Sequence, residues 1–487
     1  MFLAPKDLTF IGCSLELTVP HATHLHAAKL SASRTEVLSI FVLAAALSIL
    51  TKISSSSAWW QLVLAAWGWL ELTFYSVQLV RYHTLNAIKK SLPDLEHIEE
   101  IKRRFMSLRH VFDIKHFVSG WFFGRPWEEL RRTNVDNFVA YGWYSSEMAE
   151  LKPQVQRGVK SFVDEVLETW GETLEAGETP NVPYMTHMWE PLRVFPKPLF
   201  VHALSDAVAL AHRMALRFQG FQHLRHKGLS YWIRLPPAQP AGQPAASSEA
   251  PGAASGLPIV FLHGVGFGMV PYWGFIDMLS RQENLRRPVV LMDLPHVSMR
   301  IYPQGLDIDD VAHALAGILA NHDWPKACVM AHSYGTFVAS RLCQLHPACV
   351  HATALIDPVC LMTCYPDLLH NFVYRQPKWE TLLSMIGVMD VLRYVCSRDL
   401  LIAETFCRRF VWHSVMLWPQ ELPFNSLVVM SAKDDLVPWH LVKKQLANAQ
   451  HPATVMVHPE MGHGGFLVSH AWQQQILDTL KPMLDGC

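Results

Sequence analysis

Residues 328–340 read "CVMAHSYGTFVAS", and the reading of this stretch decides the reading of the whole second half of the chain. The apolar run Ala327 to Met330 follows Lys326 and stops at the polar pair His332-Ser333, the pattern of a short buried strand. Directly after it, Phe337, Leu342 and Leu345 fall at helical spacing. Ser333 therefore sits on an abrupt strand-to-helix turn. Around it the sequence is A-H-S-Y-G, one methyl away from the G-x-S-x-G elbow, because Ala331 stands where the first glycine is usual and Gly335 keeps the second. Such a turn exposes the hydroxyl and leaves the following N–H free to bind a developing oxyanion. Positions two before and two after the serine must be small, since strand and helix pass closely there.

The chain is 487 residues long, room for two or three units at roughly 150 residues each. Half of the residues are hydrophobic and only 17% are charged, and the mean hydropathy is +0.13. A net charge of -1 gives no electrostatic reason to expect nucleic acid. The nine cysteines are odd in number and sit mostly in apolar segments, as reduced core residues do. Cys360 and Cys364 lack a second close pair, so no zinc site is read, and neither a metal nor a cofactor is expected. The early "HATHLH" (His21, His24, His26) has no acid or cysteine beside it and reads as a solvent-facing segment.

The excess hydrophobicity is concentrated near the start. After an N-terminal segment 1–36, Val37 to Thr51 carry no charge, and Ala58 to Val80 are interrupted only by Glu71. A spanning helix needs about 20 apolar residues. The first run is short and the second holds a carboxylate, yet together they predict a membrane hairpin over 37–81 with Lys52 in its turn. Lys6, Lys29 and Arg34 precede the pair and Arg81, Lys89 and Lys90 follow it, which puts both chain ends in the cytosol. Residues 82–228 read as helical and rich in aromatics. Pro126 and the acidic pair Glu128-Glu129 mark one helix start.

Pro236 to Leu257 are Pro/Ala/Gly/Ser-rich and read as a disordered linker inside a domain that starts at 229. Strand-like pieces then alternate with helix-length segments: "PIVFLHG", "PVVLMDLP", "ACVMAHS", "ATALIDP", "SLVVMSA" and "TVMVHPE". This rhythm predicts an α/β fold with a mostly parallel sheet covered on both faces. The first of these strands runs into His263-Gly264-Val265-Gly266. Ser333 follows a middle strand, Asp434 and Asp435 follow "SLVVMSA", and His463 lies in "HPEMGHGGF" after the last one. All fall beyond carboxyl ends of strands, where open α/β sheets build their sites. A serine needs an imidazole base, and the imidazole needs a carboxylate to fix its tautomer.

As a set, "FLHGVG", "AHSYG", "AKDDLVP" and "MGHGGF" resemble the α/β-hydrolase family over residues 229–487. The resemblance implies a catalytic triad of Ser333, Asp434 and His463, with oxyanion N–H groups from Val265 and Tyr334. It assigns the acid to Asp434 through the Asp-x-hydrophobic-x-Pro spacing ending at Pro438. The insertion 360–423 takes the place of the family's cap, and its Trp412 and Trp418 are expected to contact substrate. The N-terminal region is similar to extensions on membrane-tethered eukaryotic members. The expectation is a membrane-anchored serine esterase or lipase, its catalytic domain cytosolic and its partner a lipid-like ester. An acyltransferase using the same triad and a non-catalytic membrane scaffold of the same fold remain as alternatives. The His-x-x-x-x-Asp motif of one acyltransferase class is absent.

Overall fold

The computed structural model describes residues 59–87, 98–236, 256–281, 287–377 and 385–485. The chain divides into two units, Met1–Ala65 and Ala66–Cys487. Six helices come first: α1 (Trp59–Ala87), α2 (Ile98–Met106), α3 (Ile114–Trp121), α4 (Arg132–Tyr144), α5 (Pro153–Trp170) and α6 (Leu199–Phe218). They lead into β1 (Gln222–His226), β2 (Leu229–Arg234), β3 (Ile259–Leu262), α7 (Trp273–Arg281), β4 (Val289–Met292), α8 (Ile308–Asn321), β5 (Ala327–His332), α9 (Gly335–Leu345) and β6 (Val350–Ile356). The cap helices α10 (Met385–Ser397) and α11 (Leu400–Arg408) precede β7 (Asn425–Ser431), α12 (Trp439–Asn448), β8 (Thr454–His458) and α13 (His470–Asp485).

The eight strands form one sheet in the order β1-β2-β4-β3-β5-β6-β7-β8, parallel from β4 onward. Every strand from β3 to β6 is fully or almost fully buried. Alternation along each strand then feeds two cores. Val260, Leu262, Val329 and Ala331 enter the one that α8 and α9 cover, with Leu315 and Phe337. Ile259, Phe261, Cys328 and Met330 enter the other, against Phe275 of α7 and Leu477 of α13. Burial of each such side chain contributes about 1.5–3 kcal/mol, which is why the unbroken apolar runs become central strands.

The sheet begins at Gln222, seven residues before the boundary expected at 229, so the region 82–228 is not helical throughout. β1 pairs antiparallel with β2 through the two-residue turn Lys227-Gly228, whose φ angles are 47° and 81°. Both positive values fit a tight hairpin turn. "QHLRH" has no apolar face to announce a strand. It is an edge strand held by its ladder.

The N-terminal helices share the larger core with the cap instead of standing apart. Phe112 stacks on Phe117 at 4.9 Å, and the Trp121 indole N–H donates to the Cys364 carbonyl at 3.1 Å. Arg408 of α11 donates to the carbonyls of Leu85, His187, Met188 and Glu190 and to the Asn86 side chain. Lys197 and Asp399 form a buried ion pair at 3.1 Å.

Two described helices are long and apolar enough to cross a bilayer, α1 and α6. None of the 29 residues of α1 is buried. Its Glu71 carboxylate accepts the Leu199 and Phe200 N–H groups at 2.6 and 3.2 Å, capping α6. The charge that interrupts the apolar run thus meets the positive end of a helix. The first arm expected for the hairpin, Val37 to Thr51, lies outside the described residues, as does most of the expected linker. Six of the seven described cysteines are buried.

Candidate active site

Ala331 pairs with Leu262 of β3 and Leu355 of β6, so the carboxyl end of β5 lies between the ends of its neighbours. Two residues later Ser333 has φ 51°, a left-handed conformation that a non-glycine residue adopts only under constraint, at about 1–3 kcal/mol. Its N–H donates to the Ile356 carbonyl at 3.0 Å, and its own carbonyl accepts from the Thr336 N–H and hydroxyl. A Cβ on Gly335 would run into the Leu262 carbonyl oxygen, a backbone atom that cannot yield. This is the close pass of strand and helix expected at the elbow. Ala331 is accommodated as a fully buried residue.

At the end of β7, Asp434 turns inward. Its Oδ1 accepts the N–H groups of Leu436 and Val437, and its Oδ2 accepts from His463 Nδ1 at 2.8 Å. Asp435 turns outward to Arg375 at 2.5 Å. The other ring nitrogen of His463, Nε2, is 2.8 Å from Ser333 Oγ. The Asp434 side chain is fully buried, while that of His463 keeps 18% exposure, enough for a reactant to approach. Burial alone would lower the His463 pKa, but the charge and hydrogen bond of Asp434 and the charge of Asp357 raise it to about 9.

The expected oxyanion donors lie on both sides of the serine. Among the described residues, neither the Val265 nor the Tyr334 N–H has a backbone acceptor. A Cβ on Gly264 would stand 3.0 Å from Ser333 Cβ, so the loop carrying Val265 passes directly over the serine. The Gly266 N–H donates to the Val297 carbonyl and holds that loop in place.

A second network, which sequence reasoning missed, backs the triad. Asp357 directly follows β6 and is 1% exposed. Its Oδ1 accepts from Ser431 Oγ at 3.0 Å and its Oδ2 from the Gly464 N–H at 2.7 Å. His332 Nε2 lies 3.7 Å from the same oxygen. His332 Nδ1 is 2.6 Å from the Tyr272 hydroxyl, which accepts the Gly264 N–H at 2.8 Å. The hydroxyl accepts one proton there and donates its own to Nδ1, which leaves the His332 proton on Nε2, facing Asp357. Glycine loop, elbow and histidine loop are thereby linked through buried polar groups. Burial works against the Asp357 charge, but its hydrogen bonds and the two histidines hold its pKa below the usual carboxylate range. The only signal for it in the sequence is an aspartate at a strand end in "ALIDP".

Ligand atoms of Asp357, Asp434 and His463 lie within 4.8 Å of one another, close enough for a cation. Both nitrogens of His463 and both oxygens of each carboxylate already have hydrogen-bonding partners, so the donor set serves this network and not a metal.

The two cap tryptophans are not brought to the triad. Among the described contacts neither ring touches Ser333, Asp434 or His463. Trp418 is 3% exposed, with the Arg104 guanidinium over its ring at 5.9 Å, which makes it a packing residue. Trp412 packs edge-on against Trp143 and donates its indole N–H to the Gly142 carbonyl at 2.8 Å. It belongs to the wall between the cap and α4.

Residues 259–475 match the model of the alpha/beta hydrolase family. No curated protein matches the chain. Among solved structures it is similar to a thermophilic esterase from Thermogutta terrifontis, at 13% identity over 54% of this chain and 99% of that one, with TM-score 0.38. It is also similar to a bacterial membrane phospholipase A described as a virulence factor, at 18% identity over 59% and 93% of the two chains, with TM-score 0.41. A third similarity is to a carboxylesterase of the thaumarchaeon Nitrososphaera gargenis, at 16% identity over 55% and 99%, with TM-score 0.37. The matched segment holds the sheet from β3 to β8 and all three residues of the Ser-His-Asp array, and over that segment the chain is similar to the alpha/beta hydrolase family.

Proposed function

We propose that this protein is a membrane-anchored serine hydrolase that cleaves carboxylic esters with a lipid-like acyl part through an acyl-enzyme on Ser333. The observation that carries the reading is the unbroken pair of 2.8 Å contacts from Ser333 Oγ to His463 and from His463 to Asp434, with the serine in a left-handed turn. In this mechanism His463 Nε2 takes the hydroxyl proton as Oγ bonds to the ester carbonyl carbon. The Val265 and Tyr334 N–H groups receive the oxyanion, and a lost donor of this kind lowers turnover by about 10²–10³. Asp434 holds the Nδ1 proton in place and stabilises the imidazolium. His463 then protonates the departing alkoxide, and water repeats the sequence in reverse roles to release the acid.

Anchoring through α1 is supported by its length and by an apolar helix in which no residue is fully buried, and a cytosolic catalytic domain by the flanking lysines and arginines. Three measurements test these proposals. Purified protein mixed with p-nitrophenyl decanoate should release one equivalent of p-nitrophenol in a burst, provided deacylation is slow. Specificity should rise from acetate through medium chains, by about fourfold per buried methylene; a steady fall from acetate onward would remove the lipid-like substrate. The protein should also stay with membranes after alkaline carbonate extraction, and release would remove the anchor.

A further inference from the structure

Helix α6 has two faces of opposite character. At about 100° per residue, His202, Ser205, Ala209, His212 and Leu216 fall together, and these are its buried residues. His202 Nδ1 donates to the Met299 carbonyl at 3.2 Å, and the Ser205 hydroxyl to the Ser298 carbonyl at 3.3 Å. Phe200, Leu204, Val208, Leu210, Met214 and Phe218 fall on the opposite side, each between 41% and 88% exposed among the described residues. Within about 80° to either side of Phe200 the helix carries only Ala, Val, Leu, Met and Phe. Its charged residues stand outside that arc. Asp206 and Arg213 pair with Arg300 and Asp293 of the hydrolase domain, and Arg217 lies at the carboxyl end. A continuous uncharged face of this length marks a contact, unlike apolar side chains scattered singly over a surface.

The surroundings of α6 point to lipid. Glu71, which caps α6, stands ten residues (81 minus 71) before Arg81, the charge that closes the apolar run of α1. At 1.5 Å per residue this is about 15 Å, half the hydrocarbon thickness of a bilayer. Where α1 crosses a membrane, the first turn of α6 is therefore carried to hydrocarbon depth. The Phe74 and His202 rings, 5.2 Å apart, keep the two helices in contact beyond that point. The amino end of α6 is built for such depth. A helix ordinarily leaves its first N–H groups to water or to a cap. Here the Glu71 carboxylate takes those of Leu199 and Phe200, and the Pro198 carbonyl takes that of Val201 at 3.0 Å. In α1 the Thr73 and Ser76 hydroxyls donate back to the Trp69 and Leu72 carbonyls, both at 2.8 Å. None of these groups needs water, which is the condition that hydrocarbon imposes.

We infer that the outward face of α6 lies among the acyl chains of the bilayer that α1 crosses, so that the catalytic domain is seated in the membrane and not suspended from it. The inference rests on anchoring through α1. Its consequence reaches the active site. Ser298 and Met299, which α6 holds, directly follow Val297, whose carbonyl accepts the Gly266 N–H beside Val265. The helix in the lipid and the loop of the oxyanion donor are joined through that one turn.

The test uses the full chain in phosphatidylcholine vesicles containing a phosphatidylcholine with a diazirine midway along one acyl chain. After photolysis, label should map to peptides of α1 and to Phe200–Met214 of α6. It should miss Phe424, which is 79% exposed at the amino end of β7. In Leu204→Glu and in Leu210→Glu the α6 label should fall about tenfold while α1 stays labelled. Both positions are exposed, so Tm in detergent should not change, and the second variant guards against a folding defect in the first. Labelled α1 beside unlabelled α6 overturns the inference and leaves the anchor, whether a second copy of the chain or residues 37–51 cover the face instead. Folded variants that keep their α6 label overturn it too. Labelled α6 without labelled α1 keeps the lipid contact and removes the spanning anchor; label on neither removes both.

Discussion

Replacing Asp357 by asparagine should move the pH profile of the enzyme and not merely weaken it. The Asp357 and His463 ligand atoms lie within 4.8 Å. At that separation two unit charges interact by about 3.5 kcal/mol with an effective dielectric constant of about 20, or ~2.5 pKa units. Doubling the dielectric for the exposed edge of His463 leaves ~1.3 units. Asparagine can still accept the Gly464 N–H and can donate to Ser431 Oγ, so geometry is preserved while the charge is removed. His463 must be neutral to take the serine proton, and a negative neighbour stabilises its protonated form. Its pKa of about 9 therefore sets the acid limb of kcat/KM, and removal of the Asp357 charge lowers that limb by between ~1.3 and ~2.5 pH units. The charges of Asp434 and Asp435 and the neighbouring His332 ring also act on the imidazole, and they stay unchanged in the variant. At neutral pH the variant should equal or exceed wild type, because the gain in neutral imidazole outweighs the loss of basicity. The assay is kcat/KM on a soluble p-nitrophenyl ester from pH 5 to 10. An acid limb that stays in place while turnover falls uniformly would reduce Asp357 to a structural strut and refute the electrostatic argument.

Two further substitutions separate parts of the site. Gly335→Ala forces a methyl onto the Leu262 carbonyl and should destabilise the domain by about 1–3 kcal/mol or more, seen as a lowered Tm; an unchanged Tm would mean that strand and helix do not pass as closely as described. Asp434→Asn should cut turnover by about 10⁴ through the wrong imidazole tautomer, whereas Asp435→Asn, which only releases Arg375, should change it by less than about tenfold. The reverse ranking would reassign the acid.

The parts of the structure legible in the sequence are those where one local pattern decides the outcome. The apolar runs of β3 to β7 can only be buried strands. The A-H-S-Y-G turn, the Asp-x-hydrophobic-x-Pro turn and the glycines around His463 each specify their own backbone. What was not legible depends on partners far apart in the chain. Asp357 acquires its role from Gly464 and Ser431, more than 70 residues away in sequence, and has no motif of its own. β1 is polar and is defined by its hairpin partner. Trp412 and Trp418 looked like pocket residues because large apolar side chains in a cap either line a cavity or fill a core. Only the packing of α4 and Arg104 against them shows that neither ring is turned to the triad. The partner of Glu71, the amino end of α6, lies 128 residues away in sequence and could not be read from it.

The central claim is that Ser333 is an activated nucleophile, and reaction with a fluorophosphonate tests it most directly. Wild type should take up one phosphonyl group, found by mass spectrometry on the peptide carrying Ser333, and folded Ser333→Ala should take up none. Stoichiometric labelling of the folded alanine variant, or its appearance on another serine, would contradict the account.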